Sequence, residues 1–530
     1  MNASTSAPRN LANIHQGCAF IELLLRAIRR FGDRPALVFD DQTMTYRQIG
    51  DRISQYAQAL KSLGLVRGDG VAQLSSNRPE VLLVNAASWL LGARVTLLHP
   101  MGSREDQAFK LNDSECRYLL LDERKYQHDG AYYRAEVPAI AHIMGYGGGA
   151  HPSLNELADQ FQPRPLVSGQ SPDDIVGISY TGGTTGKPKG VVSRSRGRVE
   201  LAHVCVAAWE WPEEVRLLAA TPISHAAGTK FMPTMIKGGT FYLLDGFHPE
   251  SFLQAIEKHR ITMASLVPTM LYVLLDHPAL KKYDASSLKV MLYGASPMIP
   301  ARLSEGIAHF GQIFLQFYGQ AEAPMVVTTL SRAEHDLSRP ERLASCGRAS
   351  VNVELKLLDD QDNEVPVGNV GEICVRGPLV TDGYWKRPKE TAETFRNGWL
   401  RTGDLARMDE EGFCYIVDRN KDVIISGGFN VYPREVEDVL SQHPSVLSAA
   451  VIGVPDPKWG ESVRAIVVRR ADAADIGEHE LIAWVRDKKG PVSAPKAIEF
   501  ASAIPMTGLG KPDKKALRAK YWGGRERQVG

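Results

Sequence analysis

One glycine-rich stretch of the sequence carries residue types that could bind phosphate. Residues Tyr180–Gly190 read Tyr-Thr-Gly-Gly-Thr-Thr-Gly-Lys-Pro-Lys-Gly, with four glycines, three threonines and two lysines. Glycine lets the backbone bring its N–H groups close to a ligand, and successive N–H groups can form a concavity that binds anions. A flexible polar linker is the alternative, but Pro188 and the apolar flanks argue against it. The stretch therefore predicts a phosphate-binding loop.

This loop differs from the Walker A motif of kinases and ATPases. That motif opens with a glycine and places Ser or Thr after its Gly-Lys pair. Here Thr181 stands in place of the first glycine, and Pro188 follows Lys187. The flanking segments Ile175–Tyr180 and Gly190–Arg194 both predict strands, so no helix begins beneath the phosphates. The pattern disfavours a Walker-type enzyme.

The elements that must position the loop alternate between strand and helix patterns. Thr45-Tyr-Arg-Gln48 is a capping-box sequence, and it opens a segment with apolar residues at helical spacing. The predicted strands before about residue 330 include Gly70–Leu74, Arg94–Leu98, Leu217–Ala220, Gly239–Leu244 and Val290–Tyr293. This alternation predicts an α/β fold of layered, largely parallel sheets.

The pattern changes twice toward the C-terminus. Strand-like runs at Val353–Leu358, Gly371–Val375 and Gly412–Val417, separated by turns, predict a β-rich subdomain at about 345–418. A compact α+β domain follows. Its predicted helices and strands cover 433–440, 447–453, 462–468, 479–487, 498–503 and 513–521. We therefore expect a large N-terminal domain, residues 1–420, and a small C-terminal domain, residues 421–530.

Composition and charge limit the kinds of partner. The chain has 530 residues, too many for one core, and 44% hydrophobic and 23% charged residues are typical of a globular protein. The net charge of +1 gives no sign of nucleic-acid binding, so we expect small-molecule partners and leave a homo-oligomer open.

Six cysteines without Cys-x-x-Cys spacing and the lack of a secretory signal predict a cytoplasmic protein. The most apolar window, Val81–Leu98, is interrupted by polar residues and predicts a buried helix and strand, not a membrane span.

Six motifs together resemble the adenylate-forming superfamily, which includes acyl-CoA synthetases, peptide-synthetase adenylation domains and firefly luciferase. The loop Tyr180–Gly190 is one of them. The others follow in the family's order and spacing: His225-Ala-Ala-Gly228, Tyr293-Gly-Ala-Ser-Pro297, Tyr318-Gly-Gln-Ala-Glu322, Arg401-Thr-Gly-Asp404 with Asp418-Arg419, and Pro505-Met-Thr-Gly-Leu-Gly-Lys511. The resemblance implies that a carboxylic acid attacks the α-phosphate of ATP, which yields an acyl adenylate and pyrophosphate.

The resemblance also implies which residues bind the nucleotide. The β- and γ-phosphates would be held by Thr181, Gly182, Gly183, Thr184, Thr185, Gly186 and Lys189. The adenine would lie against the ring of Tyr318, and the other implied contacts are Gly294, Ala295, Ser296, Gly319 and Gln320. Asp404 and Arg419 would bind the ribose hydroxyls.

Catalytic roles are implied for Lys511, Glu322 and Thr185. Lys511 would be the cation that contacts the transferring phosphoryl and carboxylate oxygens. Glu322 and Thr184 would ligate Mg²⁺, a hard cation that suits carboxylate and phosphate oxygens. From composition alone, neither Glu322 nor Lys511 stands out from ordinary surface residues, and only their register in the motifs singles them out.

Two further stretches resemble the acyl-CoA synthetase branch in particular. They are Gly427-Gly-Phe-Asn430 with the following Val-Tyr-Pro-Arg-Glu435, and Val454-Pro-Asp-Pro-Lys-Trp-Gly-Glu461. In that branch the small C-terminal domain is mobile. Its rotation about a hinge, here matching Lys421, would bring Gly427 and Gly428 to the tunnel for coenzyme A (CoA).

The acyl pocket is implied to include His225, Ala227, Gly228 and Thr229. Amino-acid-activating relatives place an Asp shortly after the position of His225, and this sequence has none there. We therefore expect an AMP-forming carboxylic acid:CoA ligase that uses ATP, Mg²⁺ and CoA on a hydrophobic fatty, aryl or alicyclic acid. The alternatives are a ligase that loads a carrier protein, an oxidative luciferase-like enzyme, and a non-catalytic nucleotide-binding protein.

The motif around Glu322 departs from the family at one position. The family usually has Thr directly before this Glu, where it contacts the α-phosphate, and here Ala321 takes its place. Either Gln320 or a threonine of the phosphate loop supplies the missing donor, or α-phosphate binding is weaker.

Overall fold

The protein is described by a computed structural model. The described residues are 17–181, 188–419, 422–426, 429–470, 473, 476–507 and 512–523.

Strands and helices alternate through the first part of the chain. The strands up to residue 349 are β1 (Pro35–Phe39), β2 (Gln42–Thr45), β3 (Gly70–Leu74), β4 (Arg94–Leu98), β5 (Cys116–Asp122), β6 (His142–Tyr146), β7 (Ile175–Tyr180), β8 (Gly190–Arg194), β9 (Arg216–Ala219), β10 (Thr240–Leu243), β11 (Met263–Leu266), β12 (Val290–Gly294), β13 (Phe314–Tyr318), β14 (Thr328–Leu330) and β15 (Arg348–Ala349). The helices are α1 (Phe20–Phe31), α2 (Tyr46–Ser62), α3 (Pro79–Leu90), α4 (Arg104–Asp113), α5 (Glu123–Tyr126), α6 (Gly130–Glu136), α7 (Leu154–Asp159), α8 (Ser195–Ala208), α9 (Ala226–Thr229), α10 (Phe231–Ile236), α11 (Pro249–His259), α12 (Pro268–Leu275) and α13 (Pro300–Phe310), with short 3₁₀ helices at Pro278–Lys281 and Pro340–Ala344.

These strands form two sheets. The first has nine strands in the order β15-β14-β13-β12-β11-β9-β10-β1-β2, and the second has six in the order β6-β5-β3-β4-β7-β8. The first sheet is parallel from β1 to β13 and antiparallel at its edges. The second is parallel except for the pair β7–β8. The prediction of a layered α/β fold with largely parallel sheets is confirmed.

Helices fill the space between the sheets and cover their outer faces. The main core combines α1, α2, α3, α8 and α10 with side chains of both sheets, such as Leu217 and Val71. Helices α11, α12 and α13 bury the other face of the first sheet, and α4 and α6 bury the other face of the second. Strands covered on both faces read as continuous apolar runs, which is why the sequence located them well.

Local signals act as expected in two places. The Thr45 side chain accepts a hydrogen bond from the backbone N–H of Gln48, and the Gln48 side chain accepts one from the Thr45 N–H, so the capping box forms at the start of α2. The apolar window Val81–Leu98 becomes the buried helix α3 and strand β4. Among the described residues, no helix has the length and apolar character that a bilayer crossing requires.

A third sheet forms the β-rich region. It contains β16 (Glu354–Leu358), β17 (Gly371–Arg376), β18 (Phe395–Arg396), β19 (Trp399–Met408) and β20 (Cys414–Arg419), all paired antiparallel, and α14 (Pro388–Thr394) precedes β18. The ten-residue strand β19 was not predicted, because Thr402-Gly-Asp404 has turn-forming residue types. Gly403, at φ +73°, lets the strand continue through this point.

The C-terminal part forms a fourth sheet. It contains β21 (Ile424–Ser426), β22 (Phe429–Val431), β23 (Val446–Asp456), β24 (Gly460–Arg469) and β25 (Ala497–Phe500), with helices α15 (Pro433–Ser441), α16 (Glu478–Ser493) and α17 (Lys514–Trp522). It has its own apolar core. The short hairpin β21–β22 was not predicted. The strand expected at 498–503 ends earlier, at Phe500. The domain boundary at residues 420 and 421 falls outside the described residues and stays a prediction.

Candidate active site

The predicted phosphate loop lies between two paired strands. Strands β7 and β8 have the predicted bounds and pair antiparallel, with Tyr180 opposite Gly190. The backbone N–H of Thr181 donates to the carbonyl of Lys189 at 3.2 Å, which closes the base of the loop. The loop residues Gly182, Gly183, Thr184, Thr185 and Gly186 lie outside the described residues, and their roles stay predictions.

A segment from the β-rich region is hydrogen-bonded to the second strand of this hairpin. The N–H of Val192 donates to the carbonyl of Gly383 at 2.9 Å, and the N–H of Trp385 donates to the carbonyl of Gly190 at 2.7 Å. The N–H of Thr381 donates to the carbonyl of Glu322 at 2.8 Å. Residues 381–385 therefore connect the phosphate-loop hairpin with the predicted metal ligand.

Tyr384 occupies the centre of this connection. Its hydroxyl donates to Glu322 Oε1 at 2.7 Å, and Lys189 Nζ lies 5.0 Å from the centre of its ring. Burial and the neighbouring Glu322 raise the pKa of Tyr384, so the phenol keeps its proton and remains a donor. The Glu322 carboxylate is buried. Tyr384 was not predicted as a site residue, because no local pattern in Asp382-Gly-Tyr-Trp385 identifies it.

The nucleotide residues of the first sheet lie at the carboxyl ends of β12 and β13. Gly294 ends β12 and Tyr318 ends β13, in the place where ligands bind to open parallel sheets. A Cβ at Gly294 would lie 2.2 Å from the carbonyl oxygen of Phe317, and one at Gly319 would lie 2.5 Å from the N atom of Met325. Both positions therefore need glycine. Ala295 turns away from the strand with φ +66°.

Tyr318 meets the predicted ribose-binding residues of the third sheet. Its hydroxyl donates to Asp404 Oδ2 at 2.6 Å, and Arg419 Nε lies 3.2 Å from Asp404 Oδ1. Asp404 and Arg419 are register partners in β19 and β20. Burial and Asp404 raise the pKa of Tyr318, and the Asp404 carboxylate raises the pKa of Arg419. The structure thus brings Tyr318, predicted for adenine, and Asp404 and Arg419, predicted for ribose, into one group joined by a hydrogen bond and an ion pair.

Other predicted nucleotide contacts lie around this group. Ser296 and Gln320 are half-buried, on the loops that follow β12 and β13. The N–H of Gln320 donates to the carbonyl of Ala323 at 3.0 Å, which holds the turn that leads to Glu322.

The predicted acyl residues surround the short helix α9. His225 precedes it, and Ala227, Gly228 and Thr229 belong to it. Burial lowers the pKa of His225 to about 4, so this imidazole is neutral at physiological pH. His99, which was not predicted as a site residue, packs edge-on against His225 with ring centres 4.7 Å apart. Its position directly after β4, at the carboxyl end of a parallel strand, was a signal that could have identified it.

The remaining predicted functional residues belong to the C-terminal part. Lys421, Gly427, Gly428 and Lys511 lie outside the described residues. Ser426 and Phe429, which flank the glycine pair, are register partners in the hairpin β21–β22.

A Mg²⁺ ion fits the described residues only as part of a complex with phosphate. Within the described ranges, no group of three or more His, Cys, Asp or Glu residues could hold a metal ion by itself. Glu322 supplies one buried carboxylate, with one oxygen bonded to Tyr384. Mg²⁺ in nucleotide enzymes is usually bound by one or two carboxylates together with substrate phosphates and water. Glu322 is suited to that arrangement.

Comparisons with known proteins agree with this geometry. Residues 24–385 match the family model of AMP-binding enzymes, and residues 435–511 match the model of the AMP-binding enzyme C-terminal domain. The medium/long-chain-fatty-acid–CoA ligase FadD8 of Mycobacterium tuberculosis is 47% identical over 522 residues, which cover 96% of this chain and 91% of that protein.

Two further similar proteins are a feruloyl-CoA synthase and an amide bond synthetase. A feruloyl-CoA synthase of an Amycolatopsis species is 36% identical over 484 residues, which cover 90% of this chain and 94% of that protein. Among solved structures, the amide bond synthetase McbA from Marinactinospora thermotolerans superposes with a TM-score of 0.87 at 33% identity, over 94% of this chain and 99% of that one.

Proposed function

The chain belongs to the AMP-binding enzyme family, and on this premise we propose that it is an AMP-forming ligase that joins a hydrophobic carboxylic acid to CoA. The observation that carries the reaction class is similarity, over nearly the whole chain, to ligases that form CoA thioesters. The group formed by the Tyr318–Asp404 hydrogen bond and the Asp404–Arg419 ion pair supports the binding of a nucleotide.

The reaction has two steps. A carboxylate oxygen of the acid attacks the α-phosphorus of ATP, the bond to the β-phosphate oxygen breaks, and pyrophosphate leaves. The thiolate sulfur of CoA then attacks the acyl carbonyl carbon, and AMP leaves. The first step brings two anions together, so the protein contributes mainly positioning and electrostatic stabilisation.

We assign nucleotide binding to the residues around β12, β13 and β19. The ring of Tyr318 lies against the adenine, and its hydroxyl orients Asp404 toward the ribose hydroxyls. Arg419 holds the other oxygen of Asp404. The loop residues Thr181, Thr184, Thr185 and Lys189 hold the β- and γ-phosphates.

Glu322 would hold Mg²⁺ together with the phosphates. The ion, when bound, supplies charge that offsets the charge developing on the phosphate oxygens. Tyr384 keeps the Glu322 carboxylate in one orientation, and the same phenol ring lies beneath the Lys189 ammonium.

The acyl group lies between α9 and the end of β12, next to His225, which is neutral at physiological pH. Lys511 contacts the transferring groups in the first step. Rotation of the C-terminal domain at Lys421 then replaces Lys511 with the segment of Gly427 and Gly428, which guides CoA.

We place the reaction in the cytoplasm, where ATP and CoA are present and the six free cysteines stay reduced.

The proposal is tested by acid-dependent release of AMP. The purified protein is incubated with MgATP and short, long, aromatic or polycyclic acids, with CoA present or absent. We expect stoichiometric AMP and acyl-CoA with at least one class of acid. If the adenylate forms but its acyl group is not transferred to CoA, the result would favour an enzyme whose acceptor is a carrier protein or an amine. If no acid causes pyrophosphate release, the result would favour a non-catalytic protein.

A further inference from the structure

A buried lysine lies directly beyond the residues proposed to line the acyl pocket. Lys230 follows helix α9 and is 1% exposed. Its Nζ donates to the carbonyl of Ala226 at 3.0 Å and lies 4.9 Å from the ring centre of Phe317. No carboxylate in the described ranges pairs with it, although buried ammonium groups normally have such a partner. An ammonium has three N–H donors, so the described surroundings leave part of its donor capacity unused.

A second buried donor lies in the same cluster. Trp209 is 2% exposed, and its indole Nε1 has no hydrogen-bond partner within the described part of the chain. Its ring centre is 5.9 Å from Lys230 Nζ and 6.0 Å from the ring centre of Phe317. Burial in these apolar surroundings lowers the pKa of Lys230 to about 7. The Lys230 cluster, defined as Lys230, Trp209 and Phe317, therefore has two donor groups and no side-chain acceptor.

The cluster adjoins the proposed acyl pocket. Phe317 is the register partner of Gly294, so its side chain lies on the face of the sheet toward which a side chain at position 294 would point. A Cβ at Gly294 would lie 3.1 Å from the Phe317 ring. The Nζ of Lys230 is bonded to Ala226, inside the helix that forms the opposite wall. An acyl chain that runs between α9 and β12 approaches the cluster with the end opposite its reacting carboxylate.

We propose that Lys230 and Trp209 bind an oxygen at the distal end of the acyl group, so that the enzyme prefers acids with a second carboxylate or a carbonyl there. This inference rests on the proposed function, because it assumes that the pocket binds an acyl group. It narrows the substrate class from hydrophobic acids to acids with an apolar middle and an oxygen-bearing end. A hydrocarbon end would leave the Trp209 indole N–H without an acceptor among the described residues and the Lys230 Nζ with only the carbonyl of Ala226. Sites with buried, poorly satisfied donors reject such ligands.

The test compares kcat/KM for three matched sets of acids over a range of chain lengths. The sets are plain alkanoic acids, alkanoic acids with a terminal methyl ketone, and dicarboxylic acids. We expect the wild type to prefer an oxygen-bearing set by roughly 10-fold or more at its best chain length. Lys230→Met should abolish or invert that preference, and Trp209→Phe, which removes the N–H together with the five-membered ring of the indole, should reduce it. Lys237→Met, at an exposed lysine just after α10, is the matched control and should leave it unchanged.

The outcomes separate this inference from the proposed function. Equal or better use of plain alkanoic acids by the wild type at every chain length would overturn the inference and leave the CoA ligase intact. AMP release with none of the acids would instead contradict the proposed function. If Lys230→Met does not fold, the wild-type preference and its change in Trp209→Phe decide the matter. Comparison of the methyl ketones with the dicarboxylic acids shows whether the bound oxygen belongs to a neutral carbonyl or to an anionic carboxylate.

Discussion

At the scale of single residues, Tyr384 joins two parts of the candidate site that are distant in sequence. Its hydroxyl reaches Glu322 across 62 positions of the chain, and its ring lies beside Lys189 at the base of the phosphate loop. Because Glu322 is buried, loss of this donor leaves a carboxylate oxygen unsatisfied and free to turn. A change that removes one hydroxyl should therefore affect the binding of MgATP.

We predict that Tyr384→Phe lowers kcat/KM for MgATP by about 10- to 100-fold, since hydrogen bonds to charged groups are worth about 1.5–3 kcal/mol. Mn²⁺ binding in the presence of ATP, followed by electron paramagnetic resonance, should weaken in parallel. Tyr415→Phe is the control, because Tyr415 donates to Asp409 at 3.0 Å in the same region and has no proposed role. Equal effects of the two substitutions would show that Tyr384 acts only on folding.

Ala321 offers a second prediction at this scale. It stands where related enzymes have a threonine that contacts the α-phosphate, and it is half-buried beside Glu322. If the donor is missing, Ala321→Thr should raise the rate of acyl-adenylate formation, measured as acid-dependent pyrophosphate release. An unchanged or lower rate would mean that another group, such as Gln320, already supplies the donor.

At the scale of elements, Asp418 ties the end of β20 to the start of α15. Its carboxylate accepts hydrogen bonds from the N–H groups of Arg419, at 2.6 Å, and Arg434, at 3.1 Å. Arg434 lies in the first turn of α15, where backbone N–H groups lack partners within the helix. Burial nevertheless raises the pKa of Asp418 from 3.8 to about 6, although the positive charge of Lys514 acts to lower it. The junction between the third sheet and the C-terminal part is therefore sensitive to protonation.

We predict that Asp418→Asn changes the pH dependence of stability. The folded protein binds the proton of the Asp418 carboxyl group more tightly than the unfolded chain does. The stability that protonated Asp418 contributes is therefore present below pH 3.8 and is lost as the pH rises through about 6. The asparagine variant should gain roughly 3 kcal/mol relative to wild type across that window. Urea unfolding at several pH values measures it, with Asp360→Asn at an exposed position as the control. Parallel curves for wild type and Asp418→Asn would contradict the prediction.

At the scale of the whole molecule, side chains of helix α15 make two polar contacts with the N-terminal part, in addition to the hydrogen bond from the Arg434 N–H to Asp418. Arg434 Nη2 donates to the carbonyl of Met298 at 3.3 Å, and Arg407 forms an ion pair with Glu435 at 3.2 Å. The Arg407–Glu435 pair is partly exposed, and ion pairs at a surface contribute about 0–1 kcal/mol. The proposed rotation of the C-terminal domain between the two half-reactions would have to break these contacts.

The two half-reactions should respond differently to Lys511→Ala. We expect adenylate formation to fall roughly 10²- to 10³-fold, as for other groups that stabilise a transition state directly, while thioester formation from supplied acyl adenylate stays largely intact. Each step is measured separately, by pyrophosphate release and by acyl-CoA formation. Lys515→Ala, at an exposed lysine of α17, is the control. Equal loss of both half-reactions would contradict the proposal that each half-reaction uses its own arrangement of the C-terminal domain.

The sequence by itself determined the layered α/β architecture and the order of the functional motifs. Buried strands such as β3 and β4 appear as continuous apolar runs, and the phosphate loop appears through its residue types, because these signals are local. Local signals were insufficient for β19, where Gly403 resembles a turn, and for the short hairpin β21–β22. In both cases pairing with neighbouring strands, not residue preference, forms the strand.

Only the tertiary structure decided which side chains meet. Tyr318 and Asp404 are 86 positions apart and come from different sheets, yet they share a hydrogen bond. The contacts of Tyr384 with Glu322, of His99 with His225, and the burial of Lys230 among aromatic rings depend in the same way on how sheets and helices dock. Docking is set by packing over the whole core, so no short stretch of sequence encodes these contacts.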